Sequence, residues 1–217
     1  MTATTTRSAP ATDWWRHRRG ADWALSYWHS IARPHRTLLL ELLRQVEPFT
    51  SVVELGCGAA PCLRLIQARY PGTHCHGIDI NVQMLLTAFE ESGREGWDRY
   101  LDLEHDDLVT CRVPPACVVF SSYSLAYVHP TEIARVVNKM LISAARAVVI
   151  VEPLLPVGAN RDSVLVSPSE WGHPYEALIQ AHAGWETGRW PLAPPESRLN
   201  GAILARRTHL FSLERSA

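Results

Sequence analysis

The chain has 217 residues, 47% hydrophobic and 20% charged, a composition that suits one globular domain with a substantial core. Lys+Arg 21 against Asp+Glu 22 leaves a formal net charge of −1, so no general attraction to polyanions exists and nucleic acid and membrane surfaces are disfavoured as partners. Five scattered cysteines, with no CxxC pair or Cys/His run, argue for reduced thiols and against a bound metal.

The opening MTATTTRSAPATD has no apolar stretch after its early Arg, and no later run approaches the roughly 18 apolar residues of a membrane span. A cytoplasmic location is therefore expected. Residues 1–12, rich in Thr, Ala, Ser and Pro, are expected to be a disordered tail. Residues 13–47 form a helical cap, in which Trp23, Tyr27, Ile31, Leu38, Leu39, Leu42 and Leu43 recur at helical spacing. Pro34 should split this stretch into two helices meeting near 32–35, because an internal proline removes a backbone bond and clashes one turn back.

From residue 48 to the end, strands alternate with helices. Ser51–Leu55 is a short β-branched run closed by Gly-Cys-Gly, and Pro61 opens a helix over 61–69. A strand over 74–80 and a helix over 82–91 follow. Further strands are expected at 99–106, 117–121 and 147–151, with a helix at 131–144 between the last two. This alternation predicts a doubly wound, mostly parallel α/β sheet. The pattern then changes: 168–183 looks helical, while 185–192 and 200–207 look like strands. The Pro-rich link between those strands leaves no room for a crossover helix, so they should pair antiparallel as the last two of seven strands.

The sequence Val53-Glu54-Leu55-Gly56-Cys57-Gly58-Ala59-Ala60 ends one strand and opens a helix. Glycines there permit a sharp turn and let a ligand lie against the main chain without a Cβ between them. Asp79 ends the second strand, where a carboxylate can accept both hydroxyls of a ribose. Asp106-Asp107 ends the third, where the edge of an adenine would sit. All three lie at the carboxyl ends of adjacent parallel strands, the place where open α/β sheets bind ligands.

VVELGCGAA, HGIDIN, LEHDDL and VVFSSYSLAYV resemble, in order and at suitable intervals, the signature segments of class I S-adenosylmethionine (SAM)-dependent methyltransferases. The resemblance covers about residues 50–210 and implies a Rossmann-like methyltransferase with SAM as cofactor. It places Glu54, Gly56 and Gly58 against the methionine part and Asp79 on the ribose. Ile80 and Asp106 flank and hydrogen-bond the adenine, and Asp107 and Ser121 are grouped with them as cofactor-binding residues. Two departures stand out: the family's third loop glycine is Ala60 here, and its frequent acidic residue at the start of strand four is replaced around Ala116-Cys117. A dinucleotide cofactor would want GxGxxG, where this chain has GCGAAPC.

The acceptor is less legible. After strand four, Ser121-Ser-Tyr-Ser-Leu-Ala-Tyr127 stands where amino-methylating enzymes carry an Asn/Asp-Pro-Pro-aromatic run, so the chain looks closer to small-molecule methyltransferases. A small metabolite is expected, an aromatic one in the favoured case, with O-methylation slightly ahead of N- or C-methylation. His129 is the candidate general base, since imidazole titrates near neutral pH and Pro130 restricts its backbone. Trp28, His29 and Tyr123 are candidate acceptor contacts, and Trp171, His173 and Tyr175 lie on a connection that could also contribute. Arg16-His17-Arg18-Arg19 is either a phosphate patch or a solvated helix face. An RNA or protein methyltransferase, or a non-catalytic SAM-binding partner subunit, are the alternatives. No pattern in the sequence encodes the oligomeric state.

Overall fold

The structure is a computed structural model that describes residues 10–155, 162–192 and 201–208. Five parallel strands, β1 (Ser51–Leu55), β2 (His74–Asp79), β3 (Leu101–His105), β4 (Ala116–Ser122) and β5 (Ala144–Glu152), form its centre. Val52, Val53 and Leu55 of β1 and Ala147, Val148, Val149, Ile150 and Val151 of β5 are all buried, as expected for strands covered on both faces.

Helices α1 (Pro10–His17), α2 (Ala21–Trp28) and α3 (Pro34–Arg44) precede the sheet. Pro34 separates the helices as expected, and does so by occupying the first turn of α3, where its missing N–H costs nothing. The helical region is more finely divided than the sequence suggested, with a break at residues 18–20 and a single 3₁₀ turn at Ser30–Ala32. Helix α1 begins at Pro10, inside the stretch expected to be a disordered tail; residues 1–9 lie outside the described residues.

Helices α4 (Pro61–Arg69), α5 (Val82–Glu95) and α6 (Ile133–Ser143) cross between strands, whereas β3 passes to β4 through a loop. The inward row of α6, Ile133, Val136, Val137, Met140 and Leu141, is the one its spacing implied. Two hydrophobic cores result, one on each face of the sheet: Leu39, Leu43 and Leu63 sit on one side, and Val136, Val137 and Met140 on the other.

The C-terminal region departs from expectation between 164 and 183. A small hairpin forms from β6 (Val164–Ser167) and β7 (Glu170–Gly172), of which β7 replaces the first part of the expected helix, and only Tyr175–Gln180 is helical (α7). Gly172 and Pro174 account for the break, since both oppose a continuous helix; a Cβ on Gly172 would lie 3.0 Å from Leu155 and Val166. Strands β8 (Trp185–Pro191) and β9 (Gly201–Arg207) pair antiparallel, and β9 adds antiparallel to β5. The seven-stranded order is β3-β2-β1-β4-β5-β9-β8. Connections run outward in opposite directions from β1 and β4, so a crevice opens at the carboxyl ends of those two strands.

Candidate active site

A cavity of about 660 Å³ occupies that crevice. Its floor is the turn after β1. Gly56 and Gly58 adopt φ of 76° and 55°, and Ala60 follows at 56° as the residue before α4. Gly56 and Cys57 donate their N–H groups to Ile78 O at 2.7 and 3.1 Å, tying the turn to β2. A Cβ on Gly58 would come within 2.9 Å of Tyr27 Cε1, because α2 lays the Tyr27 ring against the turn.

Asp79 stands beside the loop on the cavity wall. Its Oδ2 accepts Gly58 N–H at 2.7 Å and its Oδ1 accepts Asn81 N–H at 2.8 Å, so the carboxylate is fixed in direction before any ligand arrives. Burial pushes its pKa up, while the Asn81 and Gly58 amides pull it down. Each oxygen retains a lone pair, so the group can also accept ligand hydroxyls. Ile80, Met84 and Leu108 supply apolar walls for a planar base. Asp107 lines the cavity, whereas Asp106 turns its Oδ1 to Asp107 N–H and the Thr110 hydroxyl. A turn that leaves no room for a side chain, a preset carboxylate and apolar walls fit an adenosine-bearing cofactor.

Helix α1 covers this region. Arg16 pairs with Asp107 at 3.1 Å, and Trp15 lines the cavity with its ring 5.5 Å from that of Tyr127. Asn81 anchors the helix: its Oδ1 caps α5 by accepting Met84 N–H, and its Nδ2 donates to Trp15 O and Arg18 O at 2.6 and 3.0 Å. The basic run is thus engaged within the chain, since Arg18 stacks over Trp14 and Trp23 and Arg19 donates to the carbonyls of Arg16 and Arg18.

The loop after β4 forms the opposite wall. Tyr123 takes a positive φ of 61°, an uncommon conformation for a side chain of its size, and its ring stacks on His35. Ser124 Oγ donates to Gly56 O at 2.9 Å, linking this loop to the glycine turn. The organiser is Glu152, at the end of β5 and fully buried. Its Oε1 accepts Ser124 and Leu125 N–H at 2.7 and 2.8 Å, and its Oε2 accepts Ala126 N–H at 3.2 Å. Burial pushes its carboxyl up to about 7 against the pull of these donors.

Strand β7 braces the same loop from outside. Glu170 Oε1 accepts the Tyr127 hydroxyl at 3.3 Å, His173 Nε2 lies 3.2 Å from Leu125 O, and Trp171 meets the His129 ring edge-on. Burial raises the Tyr127 phenol and lowers His173 to about 4, so both are neutral near pH 7.

The sequence-derived candidates divide as follows. Gly56, Gly58, Asp79, Ile80, Asp107, Tyr123 and His129 line one cavity. Glu54 lies buried beneath the glycine turn, and Ser121 is buried between strands with its hydroxyl 3.1 Å from Leu55 O and 3.0 Å from Glu152 Oε1. Trp28 is not on the cavity: it is fully buried and stacks on Trp97 at 5.9 Å. His29 is exposed at the end of α2, away from the lining. Sequence reasoning gave Asn81 and Glu152 no role, and among the aromatics it did not select the cavity-facing Trp15, Tyr27 and Tyr127. Tyr27 lay one residue from a named candidate, but nothing in the sequence said which ring of α2 faced inward.

The sheet order, the terminal antiparallel hairpin, the glycine turn after β1 and the acidic residue ending β2 together define the class I methyltransferase fold. The family profile described as "Methyltransferase domain" matches residues 52–143. Residues 52–143 thus match a methyltransferase domain, and the chain has the fold of class I methyltransferases, whose solved members include one with bound SAM. A trans-aconitate 2-methyltransferase of Pseudomonas paraeruginosa is 28% identical over 109 residues, a match covering 49% of this chain and 38% of that relative. Magnesium protoporphyrin IX methyltransferase from Synechocystis with bound SAM superposes with TM-score 0.62 at 15% identity, covering 92% of each chain. An O-methyltransferase family 2 protein from Planctomyces limnophilus in complex with apigenin gives 0.63 at 16% identity, covering 88% of this chain and 62% of that one.

Asp79 provides a direct test of the cofactor end. Asp79→Ala is expected to weaken binding of S-adenosylhomocysteine by roughly 1.5–3 kcal/mol for each charge-assisted hydrogen bond removed. Calorimetry measures this, and an unchanged affinity would take Asp79 out of the site.

Proposed function

We propose that the protein transfers the methyl group of SAM to a small acceptor, with an oxygen atom as the favoured target. The observation that carries this reading is the continuity of the cavity. It runs from Gly56, Gly58 and Asp79 to a wall of Trp15, Tyr27, Tyr123 and Tyr127, at a volume usual for small-molecule sites, about 300–1,000 Å³. SAM supplies a methyl group on a sulfonium, transferred by in-line displacement. The chain's own task is to hold the acceptor in line, exclude water and, for a hydroxyl acceptor, receive a proton.

Aromatic walls suit a planar or apolar acceptor, in keeping with the apigenin complex of the Planctomyces protein. The name of the Pseudomonas relative adds a small carboxylic acid to the candidates. Transfer of labelled methyl from SAM to a panel of phenols and carboxylic acids tests the reading. Label in phenols or acids supports it; tight cofactor binding with no transfer to any small molecule would favour a binding subunit or a macromolecular acceptor.

His129 is proposed as the base for a hydroxyl acceptor. Its ring is exposed on the cavity rim, with Nδ1 2.8 Å from the Thr131 hydroxyl. The Thr131 N–H also points at Nδ1, at 3.3 Å, so to take a proton at Nε2 the ring must give up that acceptor bond and carry hydrogen on Nδ1, which the Thr131 hydroxyl oxygen can then accept. His129→Ala is expected to cut turnover of the acceptor found in the panel roughly 10²–10⁴-fold, with SAM affinity unchanged. A loss below about fivefold would leave catalysis to positioning alone.

A further inference from the structure

Strand β7 meets the loop after β4 through two residue pairs that fix the polarity of the cavity wall. Tyr127 and His129 line the cavity, and the consecutive residues Glu170 and Trp171 stand behind them. Glu170 is 6% exposed; its Oε1 accepts the Tyr127 hydroxyl at 3.3 Å, and its Oε2 has no partner. Among the described residues no cation forms an ion pair with it. Buried carboxylates are ordinarily paired or held by several donors, as Glu152 is by three amides. A buried carboxylate left to a single phenol therefore calls for a reason.

The reason lies in what Tyr127 can offer a ligand. A phenol carries one hydrogen and two lone pairs, and an ionised carboxylate only accepts. The single hydrogen of Tyr127 is thus spent on Glu170, and burial, then Glu170, pushes the phenol's pKa up, so that hydrogen stays in place. To a ligand the Tyr127 oxygen presents lone pairs alone. The charges of the lining agree. Asp79, Asp107 and Glu132 outnumber the arginines, Arg16 and Arg135. Both arginines are engaged: Arg16 with Asp107 at 3.1 Å, and Arg135 with Val109 O and, at 3.6 Å, Glu132. A ligand carboxylate would meet lone pairs and occupied cations, whereas a ligand hydroxyl brings the hydrogen that the Tyr127 oxygen can receive.

We propose that Glu170 locks Tyr127 as a hydrogen-bond acceptor, and that the site thereby selects methyl acceptors bearing a hydroxyl over those bearing a carboxylate. Glu170 is a positioning residue, acting on the ligand through Tyr127. The proposal rests on the small-acceptor reading above and chooses between the phenols and the carboxylic acids left open there. It also gives the product a reason to leave, because a methyl ether no longer has the hydrogen that Tyr127 receives.

The test is calorimetry on the full chain saturated with S-adenosylhomocysteine, using 2-naphthol and 2-naphthoate, which share a planar ring system and differ in the polar group. If the labelled-methyl panel yields a better phenol, it and the carboxylic acid of its ring replace the pair. The unaltered protein should bind the phenol at least about tenfold more tightly than the acid. In Glu170→Leu the Tyr127 hydrogen is free to turn towards the ligand. The acid should then bind roughly 3- to 10-fold more tightly than before, while the phenol stays within about threefold, because the Tyr127 oxygen keeps its lone pairs. Glu170→Gln, which retains an oxygen for the Tyr127 hydroxyl, should keep most of the original preference. Tyr127→Phe should weaken the phenol roughly 2- to 10-fold and leave the acid within about twofold. A merely structural role for Glu170 would weaken both ligands together and could not strengthen one. Equal affinities in the unaltered protein, or joint weakening in Glu170→Leu, overturn the proposal. Should Glu170→Leu not fold, the unaltered protein and Tyr127→Phe decide the matter. If the unaltered protein binds S-adenosylhomocysteine but no phenol or acid of the panel, the small-acceptor reading has failed and this proposal with it, a result distinct from loss of preference.

Discussion

Gly56→Val is expected to abolish binding of S-adenosylhomocysteine, with a loss of more than about 100-fold, because two independent constraints meet at that residue. Its φ of 76° belongs to the left-handed region, which a β-branched side chain rarely adopts. A Cβ placed there would also lie 2.2 Å from Ser124 Oγ and 2.3 Å from Ser124 Cβ, inside any tolerable contact. Ser124 cannot easily retreat, since its N–H is held by Glu152 at 2.7 Å and its hydroxyl by Gly56 O at 2.9 Å. The substitution must therefore push the β4 loop and the glycine turn apart, opening the cavity between them. Gly56→Ala should show the same effect in milder form, and the pair Gly56→Ala with Ser124→Gly should recover part of it by removing the colliding atoms. A positive coupling in that double-mutant cycle identifies the collision as the cause. Normal affinity in Gly56→Val would mean that the turn serves the fold and not the ligand.

The collision explains a difference between what the sequence disclosed and what it withheld. The glycine turn, Asp79 and the strand alternation were legible because each is a local pattern: residues close in the chain that must adopt a particular backbone shape. That Gly56 must be glycine also for Ser124, 68 positions away, is a tertiary fact. The same division runs through the acceptor wall. Helix α2 carries Trp23, Tyr27 and Trp28, and neighbouring helical residues point about 100° apart. With rings on several faces the hydrophobic pattern loses its direction, so Trp28 looked as suitable as Tyr27; in the fold Trp28 stacks on Trp97 in the core and Tyr27 meets the cavity. The β6–β7 hairpin was hidden for another reason. Its strands are only four and three residues long, too short to express a period of two.

Glu152 had no local signature at all, being one carboxylate at the end of an apolar strand, yet its removal should produce the largest loss of stability among single side chains at the site. Its two oxygens accept the N–H groups of Ser124, Leu125 and Ala126, and Ser121 Oγ lies 3.0 Å from Oε1. Those three amides open the 3₁₀ turn at Leu125–Tyr127, where no backbone carbonyl is in place to receive them. Glu152→Ala leaves them unsatisfied in a dry interior, at about 1–3 kcal/mol for each buried donor, so a total of roughly 3 kcal/mol or more is expected in urea unfolding. Glu152→Gln should lose less, because an amide oxygen can still serve the donors grouped around Oε1 while its NH₂ opposes only Ala126. The functional consequence follows from what the turn carries: Tyr123, Tyr127 and His129 line the part of the cavity proposed for the acceptor, whereas Asp79 and Gly58 stand on a separate support from β1 and β2. Glu152→Gln, if folded, should therefore reduce acceptor turnover well before it weakens S-adenosylhomocysteine binding. A parallel decline of both would show that Glu152 sustains the whole crevice, and a loss of stability below about 1 kcal/mol in Glu152→Ala would mean that water replaces the carboxylate.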